Sequence, residues 1–365
     1  MEYILKDTKC RCGGDIVVTN HEGYVNNGMC SRCFKGVPLP LEKYDEFVKE
    51  HCVSITESKK VLECSSKGDK RFSALYAKVY VNDVFDSIEN HYQKSKVFKD
   101  KNGKLIQYDD WKMAKGKTPI AFNISGYYLP LRFGSMFYSL MWYKYLKANP
   151  SLENVLEQFD VYNDIFKSKN SYVCQADVIK AYMEDNNGVR YSKTNRGINL
   201  YKSCKELLDI LTKKNTVIIE NGNALTGYPH IVAHQVNSQG VMGSGIAKSI
   251  KETFYKAYTE YVAHPLMKNE KILGECQIVD CDSKIIANVF GQFFYGRNPN
   301  TVYTNYNALR KGLTTLKEYA KANNLIVSMP YEIGCGYAHG DWENVVYPMI
   351  REIFSDYYVI LYKLK

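Results

Sequence analysis

Residues 215–365 predict an α/β domain, a mixed central sheet flanked by helices, and three observations carry that expectation. First, NTVIIE, HIVAHQV, KIIANVF, NLIVSMP and YYVILY are short apolar or β-branched runs, most bounded by Gly, Asn, Asp or Pro. That is the pattern of buried strands. Second, helical stretches lie between several of them. SIKETFYKAYTEYV sets Ile250, Phe254, Tyr258 and Val262 four residues apart, and YNALRKGLTTLKEYAKANN and ENVVYPMIREIFSD follow the same logic. Third, two strands run into glycine-rich loops, and in open α/β sheets ligands bind beyond the carboxyl ends of strands.

The first of these loops is NSQGVMGSG, between HIVAHQV and the helix IAKSIKETF. Glycine is costly in regular structure and permissive where the backbone bends or comes close to something. A glycine-rich turn feeding a helix N-terminus presents free N–H groups and the positive end of the helix dipole to an anion. Two common phosphate motifs are excluded. Ile246 and Ala247 separate Gly245 from Lys248, so there is no Walker loop, and G-x-x-G-x-G is not the dinucleotide fingerprint. The second loop, PYEIGCGYAHGDWENV, holds Gly334, Gly336 and Gly340 before a helix that Asp341 is placed to cap. Two such loops at strand ends can grip one diphosphate from both sides.

Together N-S-Q-G-V-M-G-S-G-I-A-K and P-Y-E-I-G-C-G-Y-A-H-G-D-W-E-N-V resemble the two binding loops of macrodomains, the ADP-ribose-binding modules. The resemblance covers roughly residues 215–365. It is closest to the branch of the ADP-ribose-1″-phosphate phosphatases, DarG antitoxins and terminal ADP-ribose protein glycohydrolases. It implies that Gly240, Val241, Met242, Gly243, Ser244, Gly245 and Ile246 wrap the distal ribose and α-phosphate. Gly334, Cys335, Gly336, Tyr337 and Ala338 would cover the other phosphate, and Asn237 would contact the distal ribose. Asn223 stands after Gly222 where the family usually has the acidic residue that reads adenine. No cofactor is implied for this domain. Ala338 stands where the glycohydrolases carry a catalytic aspartate, and Gly291 and Gln292 fall where their lysine would be, which disfavours a lysine-adduct mechanism. His234 matches a histidine of the phosphatase branch. It and Asp341 are the candidate catalytic residues, with a strand-core histidine and a helix cap as their alternative roles. Cys335 lacks a paired base and reads as a space-filler rather than a nucleophile.

Upstream, residues 1–50 contain Cys10, Cys12, Cys30 and Cys33, a C-x-C and a C-x-x-C separated by 17 residues, and end near the helix LEKYDEFVKEH. Four thiolates in two knuckles suit tetrahedral zinc and resemble a zinc ribbon, a small module with a structural ion. The remaining cysteines are scattered, as buried thiols would be in a reducing compartment. SSKGDK reads as a hinge. Residues 66–185 read as a mainly helical domain whose longest helix, around RFGSMFYSLMWYKYLKANP, stops at Pro150. Residues 186–214 read as a polar linker followed by the short helix NLYKSCKELLDIL. Within the middle block, SIENHYQKSKVF is faintly similar to the S-x-E-H-x-x-Q-x-x-K-F stretch of NADAR-type glycosidases, which act on ADP-ribose conjugates. That resemblance would make Glu89 the catalytic carboxylate. The preferred reading is an amphipathic helix with Ile88, Tyr92 and Ser95 on its core face.

The net charge of +9 is uneven: 34 Lys+Arg face 26 Asp+Glu before residue 215, and 14 face 13 from there on. A basic upstream half could meet nucleic acid, although a solvated lysine-rich surface is the commoner outcome. No run approaches the 18 apolar residues of a membrane span, and MEYILKDTKC lacks the build of a secretion signal, so a cytoplasmic location is expected. The function expected is binding of ADP-ribose with hydrolysis of a conjugate: ADP-ribosylated nucleic acid or protein, or ADP-ribose-1″-phosphate. The alternative is a module that binds or sequesters such nucleotides without turnover.

Overall fold

The computed structural model describes residues 3–18, 20–33, 35–54, 60–166 and 174–364. The N-terminal module comprises β1 (Tyr3–Lys9), β2 (Asp15–Val18), β3 (Tyr24–Cys30), β4 (Gly36–Lys43), α1 (Tyr44–His51) and β5 (Cys52–Ser54). Its strands form an antiparallel sheet in the order β4-β3-β2-β1-β5. Helix α1 lays Phe47 and Val48 against Val18, Val25 and Cys52 in a core of its own.

The middle block runs through β6 (Val61–Glu63), β7 (Lys78–Val81), β8 (Val84–Ser87), α2 (Ile88–Lys94), β9 (Lys96–Lys99), β10 (Leu105–Ile106), β11 (Ala121–Ile124) and β12 (Tyr127–Leu129). It continues with α3 (Phe133–Ala148), α4 (Ser151–Leu156), β13 (Val161–Asn163), α5 (Gln175–Met183), α6 (Ile198–Ser203) and α7 (Lys205–Leu211). This is an α+β unit rather than the mainly helical domain expected. Strands β7 and β8 make a hairpin whose turn residues Asn82 and Asp83 sit at φ 48° and 63°, the left-handed turn that Asn and Asp tolerate. A second sheet has the order β10-β9-β11-β12, and β6 pairs with β13 in parallel. The aromatic richness read as helical also suits half-buried strands.

Two expected breaks are packed. A Cβ on Gly68, in SSKGDK, would lie 1.9 Å from the Glu63 carbonyl oxygen, so the segment is a tight turn rather than a hinge. In the stretch read as a linker, Arg196 is buried and paired with Glu153 (3.1 Å) and Glu157, which ties residues 186–197 to α4.

The C-terminal block contains β14 (Val217–Asn221), β15 (Ile231–Asn237), α8 (Gly245–Thr253), α9 (Tyr255–Val262), β16 (Cys276–Asp280), β17 (Ile285–Gln292), α10 (Tyr306–Ala322), β18 (Val327–Pro330), α11 (Tyr347–Ile353) and β19 (Val359–Lys363). Its six-stranded sheet has the order β14-β19-β18-β15-β17-β16, parallel except for β16. All five expected strands are present. The edge strand β16 went unread because much of CQIVD is only half-buried and so lacks a continuous apolar run. The single helix expected over 249–262 breaks at Phe254 (φ −124°, ψ 62°) into α8 and α9.

The two larger blocks share one core. It runs from Phe72, Phe133 and Trp142 through Tyr228 and Tyr358 to Val232 and Ile286 beneath the C-terminal sheet. The phenols are satisfied across the boundary: Tyr358 Oη accepts from the Tyr128 amide (3.2 Å) and Tyr228 Oη donates to the Tyr128 carbonyl (2.9 Å). At its edge Arg132, just before α3, donates to Glu206 (2.5 Å), to Glu220 of β14 (2.8 Å) and to the Ile219 carbonyl (3.1 Å). Removing a half-buried guanidinium from two carboxylates leaves them facing each other, so Arg132→Met should cost about 2 kcal/mol of unfolding free energy. Denaturant titration checks this, and a midpoint equal to wild type would show that the pair is solvent-screened.

Candidate functional site

A cleft of about 930 Å³ opens at the carboxyl ends of β15, β17, β18 and β19. One wall is the first glycine loop with the start of α8, and the other is the second loop from Ile333 to Ala338. The second wall hangs on one side chain. Gln235 of β15 donates through Nε2 to Gln292 Oε1 at the end of β17 (2.7 Å) and to Thr304 Oγ1 (2.9 Å), and Thr304 donates on to the Gly334 carbonyl (2.5 Å). Asn237 shapes the other wall. Its Oδ1 accepts from the amides of Gln239 (2.9 Å) and Val241 (3.3 Å) and from Tyr261 Oη (3.0 Å), while its Nδ2 donates to the Val241 carbonyl (2.6 Å).

The glycines divide into two kinds. A Cβ on Gly334 or Gly291 would come within 2.6 Å of Gln235 Oε1, so these two make room for the clamp, and Gly334 also sits at φ 75°. Gly243 and Gly336 are different. Neither has a positive φ, a Cβ on Gly336 would meet nothing within 4 Å, and one on Gly243 would meet only Val241 Cγ1 at 3.8 Å. The fold does not need glycine at either place, and the absence of a side chain leaves the backbone open to the cleft. The first amides of α8 face the same space, a setting that favours an anion.

Of the loop residues expected to bind, Asn237, Val241, Gly243, Ser244, Gly245, Ile246, Gly334, Gly336, Tyr337 and Ala338 line the cleft. Gly240, Met242 and Cys335 do not. Gly240 turns the chain at φ 77°, and Met242 is buried with Val236, Tyr261 and Phe290. Cys335 donates to the Ile333 carbonyl (3.4 Å), and burial pushes its thiol up to about 12, which agrees with a space-filler. Asn223 lies outside the lining and accepts from the Leu225 amide (2.9 Å), organising its own turn. Gln235, Tyr295, Arg297 and Glu332 were not anticipated. Arg297 stacks over the Tyr337 ring (5.5 Å) and is the cation of the lining; Glu332, at φ 63°, is its carboxylate. Glu332 stands inside the quoted second loop, and its non-glycine left-handed backbone could not be read from sequence.

The two expected catalytic residues are not brought together. Side chains alternate along a strand, so at this height β15 offers the cleft Gln235 and turns His234 to the other face. There His234 is fully buried, with Nε2 2.7 Å from Asn288 Oδ1, and Asn288 donates to the Ala257 carbonyl of α9. Asp341 is exposed and caps its helix by accepting from the Asn344 amide (3.0 Å). The positions are those of the alternative roles, a strand-core histidine and a helix cap.

Elsewhere the Sγ atoms of Cys10, Cys12, Cys30 and Cys33 all lie within 4.8 Å of one another, a set that could hold a metal ion. The amides of Arg32 and Cys33 both donate to Cys30 Sγ (3.4 Å each), and a Cβ on Gly14 would fall 2.6 Å from that sulfur. Amide donors toward a thiolate fit metal ligation. In the middle block α2 buries Ile88 and Ser95 and packs Tyr92 against Phe122 and Tyr138, as expected of an amphipathic helix. Its other face carries a polar relay: Gln93 Nε2 donates to Glu89 Oε1 (2.7 Å) and Lys96 Nζ to Gln93 Oε1 (2.7 Å). Burial holds the Lys96 ammonium below its usual range, against the charge of Glu89.

Residues 46–187 match the family described as DarT1-associated NADAR antitoxin, a span that includes α2 and Glu89. Over 136 residues the chain is 29% identical to ADP-ribose glycohydrolase OARD1 of Bos taurus, 36% of this chain and 81% of that protein. The chain is also similar to a solved protein of unknown function from Bacteroides thetaiotaomicron (26% identity, TM-score 0.37, 40% of this chain and 98% of that one). A further similar structure is the macrodomain of Thermus aquaticus DarG (21% identity, TM-score 0.34, 41% and 97%). Among the described residues no helix is long and apolar enough to cross a membrane.

Burial holds the His234 imidazole down to about 4, against about 6.5 in an unfolded chain. Between those values the unfolded chain binds a proton that the folded chain refuses. The stability is therefore complete above about pH 6.5 and drains away toward pH 4, by about 3 kcal/mol in all. His230, lowered by burial and by Lys284 and Lys99, acts in the same direction. His234→Gln should flatten, without abolishing, the fall in urea midpoint between about pH 7 and about pH 5. A midpoint that falls as steeply as in wild type would contradict a buried neutral imidazole.

Proposed function

We propose that the C-terminal cleft binds ADP-ribose, free or as part of a conjugate, and that the chain hydrolyses such a conjugate. The observation that carries the binding reading is the pair of glycines, Gly243 and Gly336, on opposing walls with open space where a side chain would be. Arg297 and the start of α8 supply positive potential for a diphosphate, and Tyr295 and Tyr337 supply flat apolar surface at the mouth. The similarity to an ADP-ribose glycohydrolase supports this choice of ligand.

For turnover, the placement of His234 and Asp341 moves the proposal to other carboxylates. Glu89 is the first choice. It sits on the polar face of α2, bonded to Gln93, within the span that matches the NADAR family. There it can act on the glycosidic bond of an ADP-ribose conjugate. Within the cleft itself Glu332 is the carboxylate within reach of a ligand. A nucleic-acid conjugate suits the surface beside α2, since residues 94–117 hold eight lysines against three aspartates. The four-thiol set is proposed to take a structural zinc, the ion that such soft donors prefer. The second reading, binding without turnover, is favoured by the lack of a histidine in the cleft lining.

ADP-ribose should bind the full chain with about micromolar affinity by calorimetry. Gly243→Leu and Gly336→Leu should each abolish the heat while shifting stability by less than about 0.5 kcal/mol, because their side chains fill only the ligand's space. Retained binding in both would remove the cleft from consideration. With ADP-ribosylated DNA and ADP-ribose-1″-phosphate as substrates, Glu89→Gln should cut turnover about 100-fold or more and leave ADP-ribose binding intact. If Glu332→Gln alone does so, the chemistry belongs to the cleft. Tight binding with no product from any conjugate would establish the sequestering module.

A further inference from the structure

Arg32 lies between two members of the cysteine set and its guanidinium leaves the N-terminal module altogether. One arm donates to the Cys12 carbonyl (2.5 Å) and the other to Asn163 Oδ1 on β13 of the middle block. From Asn163 the bonds continue inward. Its Nδ2 donates to Glu63 Oε2 (2.5 Å), and Glu63 Oε1 accepts from the amides of Ser65 (3.0 Å) and Ile165 (3.1 Å). The next residue, Asp164, accepts from Gln175 Nε2 (3.2 Å), Gln175 Oε1 accepts from the Ala74 amide (2.8 Å), and the Ala74 carbonyl accepts from the Glu89 amide (2.9 Å). A path of hydrogen bonds, carried from Asn163 to Asp164 by the chain itself, thus joins the cysteine knuckles to the start of α2.

We infer that Arg32 is a positioning residue through which the metal-loaded cysteine set orders the β6–β13 pair, and with it the seat of Glu89. The physical reason is the shape of guanidinium: a planar fork holds two acceptors at a fixed angle, which an ammonium cannot. One acceptor, the Cys12 carbonyl, belongs to a residue whose own sulfur lies 3.4 Å from Cys30 Sγ within the cysteine set. The other, Asn163, is a member of the only strand that β6 pairs with among the described residues. Loss of the ion releases Cys12, the fork loses one anchor, and the Asn163 side chain is left with its Glu63 bond and an unanchored Arg32. The bonds that join the two segments, Cys64 N to Asn163 O and Ile165 N to Glu63 Oε1, are then the first to open. The C-terminal cleft, clamped by Gln235 and Thr304 in a different block, is unaffected. The effect on Glu89 rests on the reading of that residue as the hydrolytic carboxylate; the ordering of β6–β13 does not.

Hydrogen exchange followed by mass spectrometry on the full chain separates the two. In zinc-loaded protein, Arg32→Ala and Arg32→Lys should both keep the metal, measured by elemental analysis. Both should raise exchange in peptides spanning 60–66 and 160–166 about tenfold, with peptides from β15 and β17 unchanged. Chelating wild type should give the same increase, and chelating Arg32→Ala should add little more there, since one link has already been cut. Asn163→Ala cuts the link from the other end and should reproduce the pattern with the cysteine set intact. Exchange at 60–66 and 160–166 that is unchanged in the Arg32 and Asn163 variants would overturn the proposal, as would a chelation increase of full size in Arg32→Ala. Where hydrolysis of ADP-ribosylated DNA is measurable, Arg32→Lys should lower it about tenfold without changing the ADP-ribose heat. Unaltered hydrolysis alongside raised exchange would sever Glu89 from the path while leaving the Arg32 link in place.

Discussion

Strand β15 is buried on both faces, and the site follows from that constraint. It pairs with β17 along one edge and β18 along the other, and a core covers each of its faces. Ile231 and Ala233 pack into the core beneath α10 and α11, and Val232 into the core shared with the middle block. Once that alternation is set, His234 must follow Val232 and Gln235 must follow Ala233. A buried imidazole then needs a partner, which Asn288 supplies, and the glutamine reaches the strand end where the chain opens. Its amide clamps Gln292 and Thr304, and through Thr304 the second glycine loop, while Asn237 at the end of the same strand holds the first.

The same strand explains why the middle block is not a separate bead. The face that carries Val232 and Ile286 is covered in part by the middle block's own aromatic core, with Tyr228 and Tyr358 at the seam. Buried phenols cost free energy unless bonded, and here the bonds go to the backbone around Tyr128. The cysteine-bearing module differs, with a small core of its own. Arg32 is its polar link to the strand pair beside α2.

How much of this the sequence disclosed differs from element to element. The five apolar strands and the two glycine loops were legible because burial on both faces demands continuous Val, Ile and Leu, and because glycine is spent where close approach is needed. The edge strand β16 left no such trace. The middle block was misjudged because Tyr, Phe and Lys occur equally in amphipathic helices and in strands with one wet face. Its short strands, three or four residues each for the most part, offer too few positions for a period to show. The relay of Glu89, Gln93 and Lys96 was visible as a spacing, yet a spacing alone could not separate a functional face from a solvated one.

By itself, then, the sequence determined the α/β order of the last block, the pair of loops at strand ends and the grouping of four cysteines into two knuckles. These are local properties: periodicity, backbone freedom and short separations along the chain. The tertiary structure decided which side chains of β15 face the cleft, that Asp341 caps a helix, and that Arg297 and Glu332 enter the cleft. It also decided that Arg32 crosses to Asn163, 131 residues away. Those outcomes depend on which surfaces meet when separate elements pack. A side chain's neighbours across a core leave no period and no fixed spacing in the chain that carries it.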